Sequence, residues 1–226
     1  MKRLFLSLVG LVLLVAVGSQ LWYLVQVVQL RDHNPEDTAF MERARQHGPV
    51  RYQWRDYEQI ADDLKRAVLI SEDAHFVEHM GFDWRGIRHA IERNEEAGRP
   101  VAGGSTITQQ LAKNLFLNSD RSYVRKAQEA VIAAMLELTL SKRRILELYL
   151  NTAQWGNRVF GAEAAASHYF GTSASGLSGT QAAQLAVMLP RPSYYDLRGT
   201  TDYVQQRTQW IEKQLSLVAI PPNGNR

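Results

Sequence analysis

Apolar positions fall into two regimes along the chain. From residue 4 to about residue 28 they run nearly unbroken. Only Ser7, Ser19, Gln20 and Gln26 interrupt them, with Gly10 and Gly18 as weak breaks. At a rise of about 1.5 Å per residue, such a helix spans a hydrocarbon core of about 30 Å. Beyond it, apolar residues recur at helical spacing over 57–70, 84–94, 106–115, 125–140, 141–150, 162–169 and 179–189. Strand-like alternation is almost absent, and residues 50–54 are the best short candidate. Ser141 can N-cap one helix and Pro190 can end another. Pro221 and Pro222 close a late amphipathic stretch. The pattern predicts an α-rich or all-α domain, in two lobes, behind one transmembrane helix. Residues 1–30 read as a cytoplasmic tip and anchor, 31–56 as a juxtamembrane linker, and 57–226 as the main helical domain.

The flanks orient the apolar stretch. Lys2 and Arg3 precede it, and Trp22 and Tyr23 suit an aromatic belt at the outer interface. The basic pair belongs in the cytoplasm, which puts the bulk of the chain outside the inner membrane as a single-pass protein. A cleaved signal peptide, with Ala16-Val17-Gly18 as its small-x-small site, is the competing reading.

Composition narrows the chemistry. The 226 residues are 45% hydrophobic and 22% charged, which is ordinary globular usage rather than disorder or collagen. With no Cys, disulfides, thiol nucleophiles, iron–sulfur clusters and Cys zinc sites are excluded. A net charge of +3 is too small to argue for nucleic acid as partner.

Four constellations can carry chemistry. The first is Ser71-Glu72-Asp73-Ala74-His75-Phe76-Val77-Glu78-His79-Met80-Gly81, two carboxylates after an apolar run. A carboxylate at the end of a buried helix is partly desolvated, which raises its pKa toward a general base's range. The alternative is a solvated helix end. The same segment fits H-x-x-E-H, an inverted zinc-peptidase pattern, with Glu129 or Glu147 as a third ligand. The second is Gly103-Gly104-Ser105-Thr106-Ile107-Thr108-Gln109-Gln110 followed by Lys113-Asn114, a helix start that favours anions or a plain N-cap. It lacks P-loop spacing. The third is Arg125-Lys126-Ala127-Gln128-Glu129, where both cations share a helix face with the acid. Two cations there can hold a diphosphate, or form an ordinary surface ion pair. The fourth, Lys142 to Asn151, reads as a structural helix in which Glu147 and Asn151 support the site wall.

In this order and spacing the segments resemble the peptidoglycan glycosyltransferase family. The resemblance runs through Glu72-Asp73, Phe76, His79 and Gly81, then Gly103 to Gln110 with Lys113 and Asn114. It continues through Arg125-Lys126 and Glu129, and through Lys142, Ile145 to Glu147 and Tyr149 to Asn151. Gly161, Ala165-Ala166, Tyr169-Phe170-Gly171, Leu189-Pro190 and Pro192 complete it. It covers roughly residues 60–195. It implies a lysozyme-like helical fold with a large lobe and a smaller membrane-proximal one. It also implies polymerisation of lipid II onto a growing glycan on undecaprenyl diphosphate, by inverting β-1,4 transfer. Glu72 matches the family's base, and Glu129 its second acid, near the diphosphate or a divalent cation such as Mg or Mn. Lys113, Arg125 and Lys126 match the groups that stabilise the leaving diphosphate. Ser105, Thr106, Gln110 and Asn114 look like donor-side polar contacts. No cofactor is required; the partners implied are the lipid-linked substrates, the membrane, and cell-wall synthesis or division proteins.

Two positions depart from the family pattern. Thr172 stands where Lys is frequent, and Gln154 where an acid is expected. The chain ends soon after Pro192 and contains no Ser-x-x-Lys or Lys-Thr-Gly element. It is therefore expected to be the monofunctional biosynthetic form. Leu115-Phe116-Leu117 is a candidate membrane-dipping patch. A lytic enzyme would share the fold without needing Arg125 and Lys126 beside Glu129. A silent cell-wall scaffold would tolerate loss of Glu72.

Overall fold

A computed structural model describes residues 1–222 apart from Pro100, Ala102, Ser119 and Arg121. The last residues of the expected domain, 223–226, lie outside the described residues. In chain order the elements are α1 (Lys2–Gln29), α2 (Ala39–Arg45), β1 (Arg51–Tyr52), α3 (Asp62–Glu72), α4 (Trp84–Glu96) and α5 (Ile107–Phe116). There follow α6 (Tyr123–Thr139), α7 (Lys142–Thr152), β2 (Gln154–Gly156), β3 (Val159–Phe160), α8 (Ala162–Phe170), α9 (Gly179–Met188), α10 (Pro192–Arg198) and α11 (Asp202–Glu212). The architecture is helical and lysozyme-like, as expected.

The helices start where short polar side chains can satisfy free backbone N–H groups. Ser122 accepts from the Arg125 amide and Ser141 from the Arg144 amide. Thr106 and Ser178 open α5 and α9 with full capping boxes, through Gln109 and Gln181. On α6 the buried positions are Glu129, Ile132, Ala133, Leu136 and Glu137. That is one helical stripe, apolar in the middle with a carboxylate at each end. α7 is buried from Ile145 to Thr152, so it is the hub of the core rather than a surface helix. α5 packs on α6 and α7, while α3 packs on α9 and α9 on α11. α4 stands apart: Ala90 is its only buried residue, and Trp84 and Ile91 are exposed. It forms a thin lobe beside the helical core.

A small sheet has the order β1-β3-β2, with β1 parallel and β2 antiparallel to β3. Gly161 follows it at φ +82°, where a Cβ would lie 2.6 Å from the Asn151 carbonyl oxygen. Only glycine lets the chain turn so close to α7.

Residues 31–56, expected as a linker, are structured, which corrects that reading. Thr38 caps α2, α2 packs on α5, and β1 pairs with β3. Asn151 holds Arg55 through both its backbone amide (2.8 Å) and its carbonyl (2.8 Å), and Glu147 accepts from the Tyr57 amide at 2.7 Å. These two side chains brace the 55–57 segment on α7. The apolar stretch is one 28-residue helix, α1, long and apolar enough to cross a membrane. It is exposed from Lys2 to Ser19, while Val27 and, just past its end, Leu30 are buried in the domain core.

Candidate active site

The site begins where α3 stops. Glu72 is its last residue, and Asp73 leaves the helix. The adjacent carboxylates then part ways. Asp73 is buried, pairs with His79 Nε2 at 2.9 Å, and accepts from the Ile107 amide at 3.0 Å. It pins the first turn of α5 to the end of α3. Glu72 faces inward toward α5, where the Gln110 amide donates to its Oε2 at 2.8 Å. The Tyr149 hydroxyl in turn donates to the Gln110 carbonyl oxygen at 3.0 Å. The other oxygen, Glu72 Oε1, is buried with no hydrogen-bond partner. Burial pushes the Glu72 carboxyl above its ordinary value, against the Gln110 hydrogen bond and the charge of Lys113, both of which pull down. One adjacent acid is spent on structure, and the other keeps an unpartnered, desolvated acceptor atom.

Thr106 departs from its expected role as a substrate contact. It is buried, its hydroxyl accepts from the Gln109 amide at 3.2 Å, and it donates to the Gly81 carbonyl at 2.7 Å. The side chain is fully used in setting the start of α5. Gly81 itself sits at φ +83° with Glu137 against it. Glu137, absent from the expected site, accepts from the Thr108 hydroxyl and from Lys142 at 2.7 Å. Ser105 is exposed and meets Lys126 Nζ at 3.2 Å. Gln110, Lys113 and Asn114 lie at i, i+3 and i+4 of α5, on a shared face. Asn114 is buried there.

On α6 the charged cluster forms as a unit. Arg125 donates to Glu129 Oε2 at 2.6 Å and to the Asp120 carbonyl at 2.6 Å, and Lys126 holds Glu129 Oε1. Glu129 is only 3% exposed, so its two oxygens fix two cations. Lys113 stands between this cluster and the acid on α3. Burial lowers its pKa, and it feels the charges of Glu129, Arg125, Lys126 and Glu72. Its ammonium also lies 5.5 Å from the centre of the Phe40 ring on α2. Phe40 thus stands beside the candidate site, though the sequence offered no signal beyond an aromatic residue in a polar stretch.

The H-x-x-E-H segment is not helical. Its histidines go to different carboxylates, His75 to Asp83 and His79 to Asp73. No group of three His, Asp or Glu assembles as a metal site among the described residues. Leu115 and Leu117 are buried in the core, and the Phe116 ring packs edge-on against Tyr23 of α1 at 5.9 Å. Leu115 and Leu117 are thus turned away from any membrane surface, while Phe116 packs on the anchor itself. Gln154 donates to the Gly156 carbonyl at 2.9 Å in the small sheet, away from the charged groups.

A family model described as Transglycosylase matches residues 38–216. The chain belongs to the transglycosylase family. The match begins at Thr38, the cap of α2, in keeping with the structured 38–56 segment. The biosynthetic peptidoglycan transglycosylase of Alcanivorax borkumensis is 65% identical over 223 residues, covering 99% of this chain and 91% of that protein. Proteins of the same name from Azoarcus sp. and Herminiimonas arsenicoxydans are 52% and 46% identical. They cover 85% and 98% of this transglycosylase, and 89% and 99% of their own lengths. The expected glycosyltransferase family thus stands, and with it a transferase of peptidoglycan synthesis.

Proposed function

We propose that this transglycosylase polymerises lipid II into glycan strands and releases undecaprenyl diphosphate. The observation that carries the reading is the pairing of two unlike centres along α5. One is a desolvated carboxylate with an unpartnered oxygen, Glu72; the other is a cation cluster held by Glu129. A glycosyl transfer with a diphosphate leaving group needs both. Glu72 Oε1 takes the proton of the acceptor sugar's 4-hydroxyl as that oxygen attacks the donor's anomeric carbon. The bond to the diphosphate breaks as the new bond forms, so the α-linked donor gives a β-1,4 product. Arg125, Lys126 and Lys113 stabilise the departing charge, a term that is frequently the largest in catalysis. Ser105, Gln110 and Asn114 serve as polar contacts, with Gln110 also orienting the base. No covalent sugar intermediate is required.

The donor set at Glu129 does not fit a resident divalent cation. Both oxygens already meet cations, and no second carboxylate joins them among the described residues. Our reading gives Glu129 the task of positioning Arg125 and Lys126. The apolar α1 with Lys2 and Arg3 before it supports an inner-membrane anchor with the domain on the periplasmic side.

The test is polymerisation of purified lipid II by the wild type and Glu72→Gln. Long strands from the wild type alone are expected. Digestion of purified sacculi without polymer formation would favour a lytic enzyme instead.

A further inference from the structure

The anchor helix does more than end near the domain. Gln20 of α1 and Gln128 of α6 exchange two hydrogen bonds, at 2.9 and 3.0 Å, each amide both donating and accepting. Farther along, Arg31 reaches the Thr139 carbonyl at 3.5 Å. Both contacts have the same offset of 108 residues. The helices therefore run side by side in the same direction from Gln20 to the end of α1 at Gln29, about 14 Å at about 1.5 Å per residue. The Tyr23–Phe116 ring contact lies between them.

That register fixes a height. The same offset puts Lys126 level with Gly18 and Glu129 level with Leu21. On α1, the exposed stretch from Leu4 to Leu21 is roughly 27 Å long, close to one hydrocarbon core of about 30 Å. Ser19, Gln20 and Trp22 then fall at its outer boundary, with Trp22 55% exposed as a belt residue would be. By the same offset the first turn of α6 starts level with Val15, about 9 Å below Leu21. It exposes Tyr123 by 96% and Val124 by 82%, apolar surface with no protein cover.

We infer that the Gln20–Gln128 pair is a depth lock: it docks α1 along α6 so that the Arg125–Lys126–Glu129 cluster sits at the outer edge of the hydrocarbon core, just beneath the phosphates of the outer leaflet, with Tyr123 and Val124 deeper in lipid. A diphosphate on a lipid tail then meets its cations without leaving the membrane. Gln20 and Gln128 are positioning residues, since neither is placed against the reacting atoms. The inference rests on the diphosphate reading for its purpose, but its tests report position rather than turnover.

The chain has no Cys, so engineered thiols are unambiguous. The full-length Gln20→Cys/Gln128→Cys variant, in vesicles of phosphatidylethanolamine and phosphatidylglycerol, is expected to join through a short bis-thiol reagent. A Tyr23→Cys/Phe116→Cys variant provides a second pair should the first disturb folding. A fluorophore on Tyr123→Cys is expected to be quenched more by lipids carrying a quencher within the acyl chain than by lipids carrying one on the headgroup. Absence of cross-linking in both pairs would overturn the docking. A probe at position 123 that no lipid quencher reaches would overturn the depth. Loss of cross-linking at Tyr23–Phe116 in Gln20→Leu would identify the glutamine pair as the lock, and retention would deny it that role.

Discussion

At the scale of single residues, Glu72, the proposed base, is distinguished from its neighbour by what each oxygen touches. Asp73 has spent its acceptors on His79 and the start of α5, whereas Glu72 keeps Oε1 unpartnered in a buried place. Replacing Glu72 with Gln should cut lipid II turnover about 10²- to 10⁴-fold, the range of a lost general base. The same change should stabilise the fold. Because the folded pKa of Glu72 lies above 4.5, the folded state holds its proton more tightly than the unfolded chain does. Stability therefore falls as pH rises from that value through the raised pKa, and the neutral glutamine escapes the loss. Thermal melts should show Glu72→Gln gaining on the wild type at pH 7 and the difference closing toward pH 4. An unchanged gap across that range would mean the acid is not desolvated. From the sequence, Glu72 and Asp73 were an adjacent pair at a helix end. The side chains that part them, His79, Gln110 and Tyr149, are brought in only by the tertiary fold. Thr106 was misread for the same reason: a hydroxyl beside glycines looks free until Gly81 arrives from another segment to accept it.

At the scale of elements, long amphipathic helices were legible and short ones were not. α6 and α7 announce themselves by a buried stripe over several turns. α2 is a seven-residue helix between Pro35 and Gly48, too short to hold together without its tertiary contacts. Its placement on α5 sets Phe40 over the Lys113 ammonium. Phe40→Ala should therefore lower kcat/KM by a few-fold to tenfold, as losing a contact of about 0.5–1 kcal/mol or somewhat more does. Phe40→Tyr should restore it, which a purely space-filling role at that position would not separate from Phe40→Leu. The start of α5 offers a test of structure alone. Thr106→Ala removes a cap worth about 1 kcal/mol together with the tether to Gly81. Its melting temperature should drop by several degrees and recover in Thr106→Ser, read by calorimetry in detergent.

At the scale of the whole molecule, one core runs from Val27 of the anchor through α7 to Leu215, while α4 hangs beside it. The site lies where these parts meet: Glu72 and α5 belong to the core, and the segment from His75 to Ser105 carries the thin lobe. Regions with few buried apolar contacts open at small free-energy cost, so a protein built this way is not uniformly stable. Hydrogen exchange followed by mass spectrometry should rank the helices accordingly. Amides of α7 and of the inner part of α6 should exchange last, close to global unfolding. Those of α4 should exchange orders of magnitude sooner, and so before α5 releases Gln110 from Glu72. Equal protection in α4 and α7 would contradict the division into a firm core and a loose lobe. In such a division the contacts of Asp73 with His79 and the Ile107 amide keep the end of α3 and the start of α5 in fixed relation even as the lobe opens.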